Sequence, residues 1–231
     1  MNPADPNVQL VEILVSHLGD LKDQFVFVGG CATGLLVTDP ARPSVRATKD
    51  VDVVTEITNL GEYYQLAEKL RGIGFTEDPQ SEVICRWKIG ELLVDVMPTD
   101  EEILGFSNRW YVEAVRTASG FVLPSGNTIS LISPPLFLAT KLEAFNGRGN
   151  GDYGVSHDME DIITLVDGRP EITDEVQETG GDVQAYLQSE FEDLLSTSDF
   201  VDSISWHLHG DADNQERATE IIKRLRLIAG V

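Results

Sequence analysis

Apolar and polar positions change their period several times along the chain. From Val8 to Leu18 the apolar residues recur at helical spacing, which predicts an amphipathic N-terminal helix. Val26-Phe27-Val28 is wholly apolar and stops at Gly29-Gly30, so it reads as a buried strand turning into a helix that begins near Cys31. Asp50-Val51-Asp52-Val53 then alternates with period two. Side chains alternate across a strand, so Asp50 and Asp52 share one face while Val51 and Val53 point to the core. Leu60 to Arg71 returns to helical spacing. The runs Ile84 to Ile89 and Leu92 to Met97 flank Gly90-Glu91 and predict a β-hairpin whose second arm is apolar except for Asp95. Short strands around Gly120 to Leu131 finish a sheet. From Pro134 the pattern is helical, including Asp182 to Leu195 and Asn214 to Ile228, with Ser133 a suitable N-cap and the prolines tolerated in the first turn. The glycine-rich stretch Asn146 to Asp152 reads equally as an interhelical loop or as a gate over substrate. The expected class is α/β, a mixed sheet flanked by helices over residues 1–132, followed by a helical C-terminal region over 133–231 that contributes to the site.

Asp50 and Asp52 give this pattern its chemistry. Two carboxylates on one strand face suit a hard divalent cation such as Mg²⁺ (or Mn²⁺), which takes one or two protein carboxylates alongside substrate phosphate oxygens. Gly29 and Gly30 fit the same purpose, because a backbone without Cβ atoms can approach a phosphate and a helix N-terminus presents unpaired N–H groups to it. Asp95, alone in an apolar arm, is either a costly buried charge or a third ligand, and a metal would compensate it. Asp50, Asp52 and Asp95 are therefore the candidate metal ligands.

These residues resemble the nucleotidyltransferase fold of the DNA polymerase β superfamily, in which a Gly-Gly or Gly-Ser turn precedes an Asp-x-Asp strand and a third Asp follows on a later strand. More narrowly, the chain is similar to the AbiEii and MenT group of prokaryotic nucleotidyltransferases. Gly29, Gly30, Arg46, Thr48, Asp50 and Asp52 match that group's opening motif, Gly-Gly, a spacer, then Arg-x-Thr-x-Asp-x-Asp. Lys141 and the segment His157 to Ile162 fall where the group carries a helix-borne Lys and an Asp-x-x-Asp-Ile/Leu motif, so the likeness covers roughly residues 20–170. Two departures are a Pro-containing insertion, Asp39-Pro40-Ala41-Arg42-Pro43, and His157 where a Lys or Arg is usual.

The resemblance implies an enzyme that moves a nucleotidyl group from an NTP to an acceptor hydroxyl. It implies nucleotide contacts from Gly29, Gly30, Arg46, Thr48 and Lys141, and a catalytic set of Asp50, Asp52, Asp95, Lys141 and Asp161. The implied acceptor is RNA, especially a tRNA 3′ end, within a toxin–antitoxin or abortive-infection system with a cognate antitoxin as partner. On its own, Lys141 is also readable as a snorkelling lysine, and Asp158 and Asp161 as acids placed by the dipole of a helix start. Of these two, the resemblance favours Asp161.

Charge complicates an RNA acceptor. The formal net charge is −22, whereas nucleic-acid binders usually carry a basic footprint. From Glu171 to Gln215 there are twelve acidic residues and no Lys or Arg. Arg42, Arg46, Lys49, Arg86, Lys88, Lys141 and Arg148, by contrast, lie near the motifs and suggest a basic mouth on an acidic body. A small-molecule or protein acceptor suits the net charge better, and a non-catalytic NTP-binding regulator of the same fold is the alternative from another class. His207 and His209 with Asp211 and Asp213 read as an acidic loop more readily than as a metal cluster. Cys31 and Cys85 read as buried thiols. With 231 residues, 42% of them hydrophobic, the chain can bury a substantial core, and no apolar run is long enough for a membrane span. Two cysteines and no visible secretory signal point to the cytoplasm.

Overall fold

A computed structural model describes residues 5–41, 45–81, 83–105, 107–149, 151–208 and 214–231. They divide into two compact units. The described parts of Asn2–Leu35 and Ser44–Ser133 form one, and those of Leu36–Pro43 and Pro134–Val231 form the other.

The first unit is built on a sheet. It opens with α1 (Pro6–Leu18), whose start is set by Asp5: the Asp5 carboxylate accepts the Asn7 backbone N–H at 2.8 Å, and Pro6 occupies a position where no N–H is needed. Val8, Val11, Leu14, Val15 and Leu18 form its buried face. A 3₁₀ turn leads to β1 (Val26–Val28), then α2 (Gly29–Leu36), β2 (Asp50–Thr55) and α3 (Leu60–Gly72). Next come β3 (Thr76–Glu77), β4 (Arg86–Ile89), β5 (Leu92–Pro98), two short helices, α4 (Glu101–Leu104) and α5 (Tyr111–Thr117), and the hairpin β6 (Ser119–Val122) and β7 (Thr128–Leu131).

The seven strands lie in the order β3-β4-β5-β2-β1-β7-β6. β2 runs parallel to β5 and β1 parallel to β7, while the remaining neighbours are antiparallel. This is the expected mixed sheet. β5 sits between β2 and β4 and is buried along almost its whole length, which explains why its sequence lacks the alternation of β2. Phe25, Phe27, Val51, Val53, Trp87, Val94 and Val96 are all buried, and each such side chain contributes roughly 1.5–3 kcal/mol through its removal from water. Two boundaries differ from the sequence expectation. α2 begins at Gly29 rather than at Cys31, and β4 begins at Arg86 rather than at Ile84, whose side chain is exposed.

The second unit is helical. It contains α6 (Pro134–Arg148), α7 (His157–Gly168), α8 (Ile172–Thr179), α9 (Gly181–Leu195), α10 (Ser198–Ser203), a 3₁₀ turn over Ile204–His207, and α11 (Asn214–Ala229). Residues 135–142 of α6 are buried on every side, as suits a helix packed against α7, α8 and α9. α7 starts at Ser156, whose hydroxyl accepts the Met159 N–H. The backbone N–H groups of Thr38 and Asp39 both donate to the Gly168 carbonyl at 3.0 Å, tying the segment after α2 to the end of α7. Asn146, Gly147 and Arg148 continue α6, so the glycine-rich loop is shorter than its composition suggests. Arg42 and Pro43 of the insertion, and His209, Asp211 and Asp213 of the imagined metal cluster, lie outside the described residues. Among the described residues, no helix is long and apolar enough to cross a membrane.

Candidate active site

Strand register assembles the three aspartates. Val28 of β1 pairs with Asp52 of β2, Asp52 with Asp95 of β5, and Asp95 with Arg86 of β4. Directly paired residues share a sheet face, so Asp52, Asp95 and Arg86 form one row, and Asp50, two positions before Asp52, stands on the same side. Asp95 is only 6% exposed, whereas the Asp50 side chain is 29% exposed. β5 thus places Asp95 directly beside Asp52.

Gly29 closes this row from above. It directly follows Val28 and has φ +65°, a left-handed conformation that side-chain-bearing residues adopt at a cost. A Cβ there would overlap the Asp52 carboxylate itself. The glycine is thus required twice, by its backbone angle and by the approach of Asp52.

The approach to β2 is held by a residue with no signal in the sequence. Asn7 of α1 is fully buried; its amide Nδ2 donates to the Arg46 carbonyl at 2.8 Å, and its Oδ1 accepts the Thr48 N–H at 2.8 Å. The Thr48 hydroxyl donates to the Asp50 carbonyl at 3.0 Å. Thr48 therefore fixes how the chain enters the strand that carries Asp50 and Asp52. A buried asparagine with matched backbone partners across 39 positions is identifiable only once the fold is known.

Arg86 holds the carboxylates together. Its Nε donates to Asp95 Oδ1 at 2.7 Å, and its Nη2 donates to Asp95 Oδ2 at 2.7 Å and to Asp50 Oδ2 at 2.5 Å. The Asp95 hydrogen bonds are the main cause of an arginine pKa raised above its already high value. Next to it, burial first and then the Asp95 and Asp52 charges push the Cys85 thiol up to about 12, so it stays protonated and inert. The oxygen-only donor set of Asp50, Asp52 and Asp95 fits a hard divalent cation. Among the described residues, no three His, Cys, Asp or Glu side chains already converge as an ion site. The Arg86 guanidinium bridges Asp50 and Asp95 instead.

Lys141 and Asp161 are brought together in the helical unit. Lys141 Nζ lies 2.6 Å from Asp161 Oδ2 and 3.2 Å from Asp158 Oδ1, over the Phe137 ring, and all three charged side chains are buried. The snorkelling reading of Lys141 is thereby excluded. Arg148 reaches back from the end of α6 and donates through Nε and Nη2 to Asp158 at 3.0 and 2.9 Å. Burial raises the Asp158 carboxyl, but the Arg148 hydrogen bonds and the Lys141 charge together outweigh it and hold it below the ordinary carboxylate range.

The expected basic mouth is largely neutralised. Arg86 is taken up by Asp50 and Asp95, Lys88 pairs with Asp78 at 2.8 Å, and Lys141 and Arg148 share Asp158. Sequence proximity to acidic motifs placed these cations beside acids rather than in a free patch.

No protein-family model matches the chain, nor does any curated protein sequence. Solved structures do match. An antigenic nucleotidyltransferase-like protein from Paracoccidioides brasiliensis is similar at 20% identity and a TM-score of 0.54, over 87% of this chain and 92% of that one. The antibiotic-resistance factor ANT(2″)-Ia, solved in solution, is 15% identical with a TM-score of 0.47, over 81% of this chain and 94% of that one. The fold is nucleotidyltransferase-like.

Proposed function

We propose that the chain is a metal-dependent nucleotidyltransferase that moves a nucleotidyl group from an NTP to an acceptor hydroxyl. The observation that carries this reading is the row of Asp50, Asp52 and Asp95 on one sheet face beneath the Gly29 turn. Asp50 and Asp52 would hold Mg²⁺ or Mn²⁺, with Asp95 completing the donor set. A bound divalent ion would neutralise the triphosphate and polarise the acceptor hydroxyl. By resemblance, Gly29 and Gly30 at the start of α2 would take the phosphates, and Arg46 and Thr48 would shape the approach. The acceptor oxygen attacks the α-phosphorus, its proton passes to Asp95, and the bond to the β-phosphate oxygen breaks to release pyrophosphate. The part of Lys141, which pairs with Asp161 in the helical unit, in offsetting triphosphate charge rests on the family resemblance alone.

Two acceptor classes divide the reading. RNA, a tRNA 3′ end in particular, with a toxin role and an antitoxin partner, rests on the AbiEii/MenT-like spacing of Arg46, Thr48, Asp50 and Asp52. A small-molecule or protein hydroxyl is favoured by the net charge of −22 and by the ion pairs that neutralise Arg86, Lys88, Lys141 and Arg148. The test is incubation of wild type and Asp50→Ala with each α-labelled NTP, Mg²⁺ and a cell extract, resolving RNA, protein and small products. Label in one product class from wild type alone names the acceptor. Equal labelling by Asp50→Ala overturns the assignment, and no label in any class favours the non-catalytic NTP-binding regulator.

A further inference from the structure

Arg86 occupies the oxygens that the proposed metal needs. Its fork takes both oxygens of Asp95, and the same Nη2 reaches Asp50, so one guanidinium bridges two strands and three carboxylate oxygens. The arrangement is built rather than incidental. β4 and β5 are joined by the two residues Gly90 and Glu91, and that register sets residue 86 opposite residue 95. The Arg86 side chain is 17% exposed and that of Asp95 9%, so water screens the pair only weakly. Bidentate arginine–carboxylate bonds are among the strongest side-chain hydrogen bonds, and removing one partner from such a pair leaves an uncompensated charge. Asp50 and Asp95 on one sheet face repel each other unless a cation stands between them, and Arg86 is such a cation.

We propose that Arg86 is a tethered counter-ion of the carboxylate row, which holds Asp50 and Asp95 when no divalent ion is present and must release them for one to bind. The proposal rests on the metal reading above and goes beyond it: divalent-ion affinity is set by competition with a side chain of the same protein. Arg86 is thus a positioning residue. Its guanidinium keeps the strands carrying Asp50 and Asp95 in place before the metal arrives, and it makes the site respond to the concentration of free metal rather than remain permanently filled.

The test is Mn²⁺ binding, followed by the loss of the free-ion electron paramagnetic resonance signal, in wild type, Arg86→Lys, Arg86→Met and, as a site control, Asp52→Asn. Thermal melts with EDTA and with Mn²⁺ accompany it. Losing the competing fork is expected to tighten Mn²⁺ binding by roughly tenfold or more in Arg86→Met. Arg86→Lys, which keeps the charge but cannot bridge two carboxylates, should fall between Arg86→Met and wild type. In EDTA, Arg86→Met should melt below wild type, and Mn²⁺ should raise its melting temperature by more than it raises that of wild type. An Arg86→Met protein that folds only with Mn²⁺ supports the proposal equally. If it folds in neither condition, Arg86→Lys decides, with tighter binding than wild type required. Native-like variants that bind Mn²⁺ no more tightly than wild type overturn the proposal and leave Arg86 a fixed strand clamp, with the metal reading intact. Absence of Mn²⁺ binding throughout, or unchanged binding by Asp52→Asn, overturns the metal reading itself and this proposal with it.

Discussion

Asp95 and Asp158 are both nearly buried carboxylates gripped by an arginine fork, at 2.7 and 2.7 Å in the sheet unit and at 3.0 and 2.9 Å in the helical unit. Their surroundings differ in how the cations are shared. Around Asp158, the Lys141 ammonium and the Arg148 guanidinium both reach one carboxylate, and Lys141 also pairs with Asp161. Around Asp95, one guanidinium, that of Arg86, is shared between the carboxylates of Asp50 and Asp95. Carboxylates met by cations from two positions on α6 tie α6 to α7. A guanidinium shared by two carboxylates at a partly exposed strand end occupies oxygens that a divalent ion would need. The comparison separates a group whose first effect is on stability from one whose first effect is on ligand binding.

The sharpest way to break this contrast is Lys141→Met. It removes the ammonium that pairs with buried Asp158 and Asp161, and loss of one partner from a buried pair costs about 3–5 kcal/mol. Chemical denaturation should show a loss of that order, with Arg86→Met far less affected once Mn²⁺ is supplied. A Lys141→Met protein as stable as wild type would mean that the helical cluster is not structural.

Gly29→Ala probes the other side. Its left-handed backbone and the Cβ overlap with Asp52 should together cost roughly 1–3 kcal/mol, and the displaced carboxylate should weaken Mn²⁺ binding as well. Unchanged binding would show that Asp52 has no part in the metal site. The smallest effect is expected in acid. Because the folded-state pKa of Asp158 is depressed, its contribution is full above the unfolded carboxylate value of about 4 and is lost as pH falls through the lower folded value. The stability difference between wild type and Asp158→Asn, read from urea midpoints, should therefore shrink as pH is lowered from about 5 to about 3. A difference independent of pH would contradict the ion-pair network.

The same contrast decides what was legible in the sequence. Asp50, Asp52, Gly29 and Asp95 were legible because strand alternation and a lone charge in an apolar arm are local signals. The pairing of Arg86 with Asp95 follows from counting back from the Gly90-Glu91 turn, but its bridge to Asp50 depends on β2 lying beside β5, a parallel neighbour distant in sequence. Asn7 was illegible for the same reason. Its partners Arg46 and Thr48 come from a segment it meets only in the folded chain. The cations near the motifs suggest a basic mouth in the sequence because proximity along the chain does not show which acid each one faces.

The measurement that tests the central claim most directly follows α-labelled and γ-labelled NTP in parallel, with and without a divalent ion, for wild type and Asp52→Asn in a cell extract. The account predicts metal-dependent transfer of the α-label to an acceptor, release of the γ-label as pyrophosphate, and a loss of about a thousandfold or more in Asp52→Asn. Transfer of the γ-label to the acceptor, or α-label transfer by Asp52→Asn at the wild-type rate, would contradict it.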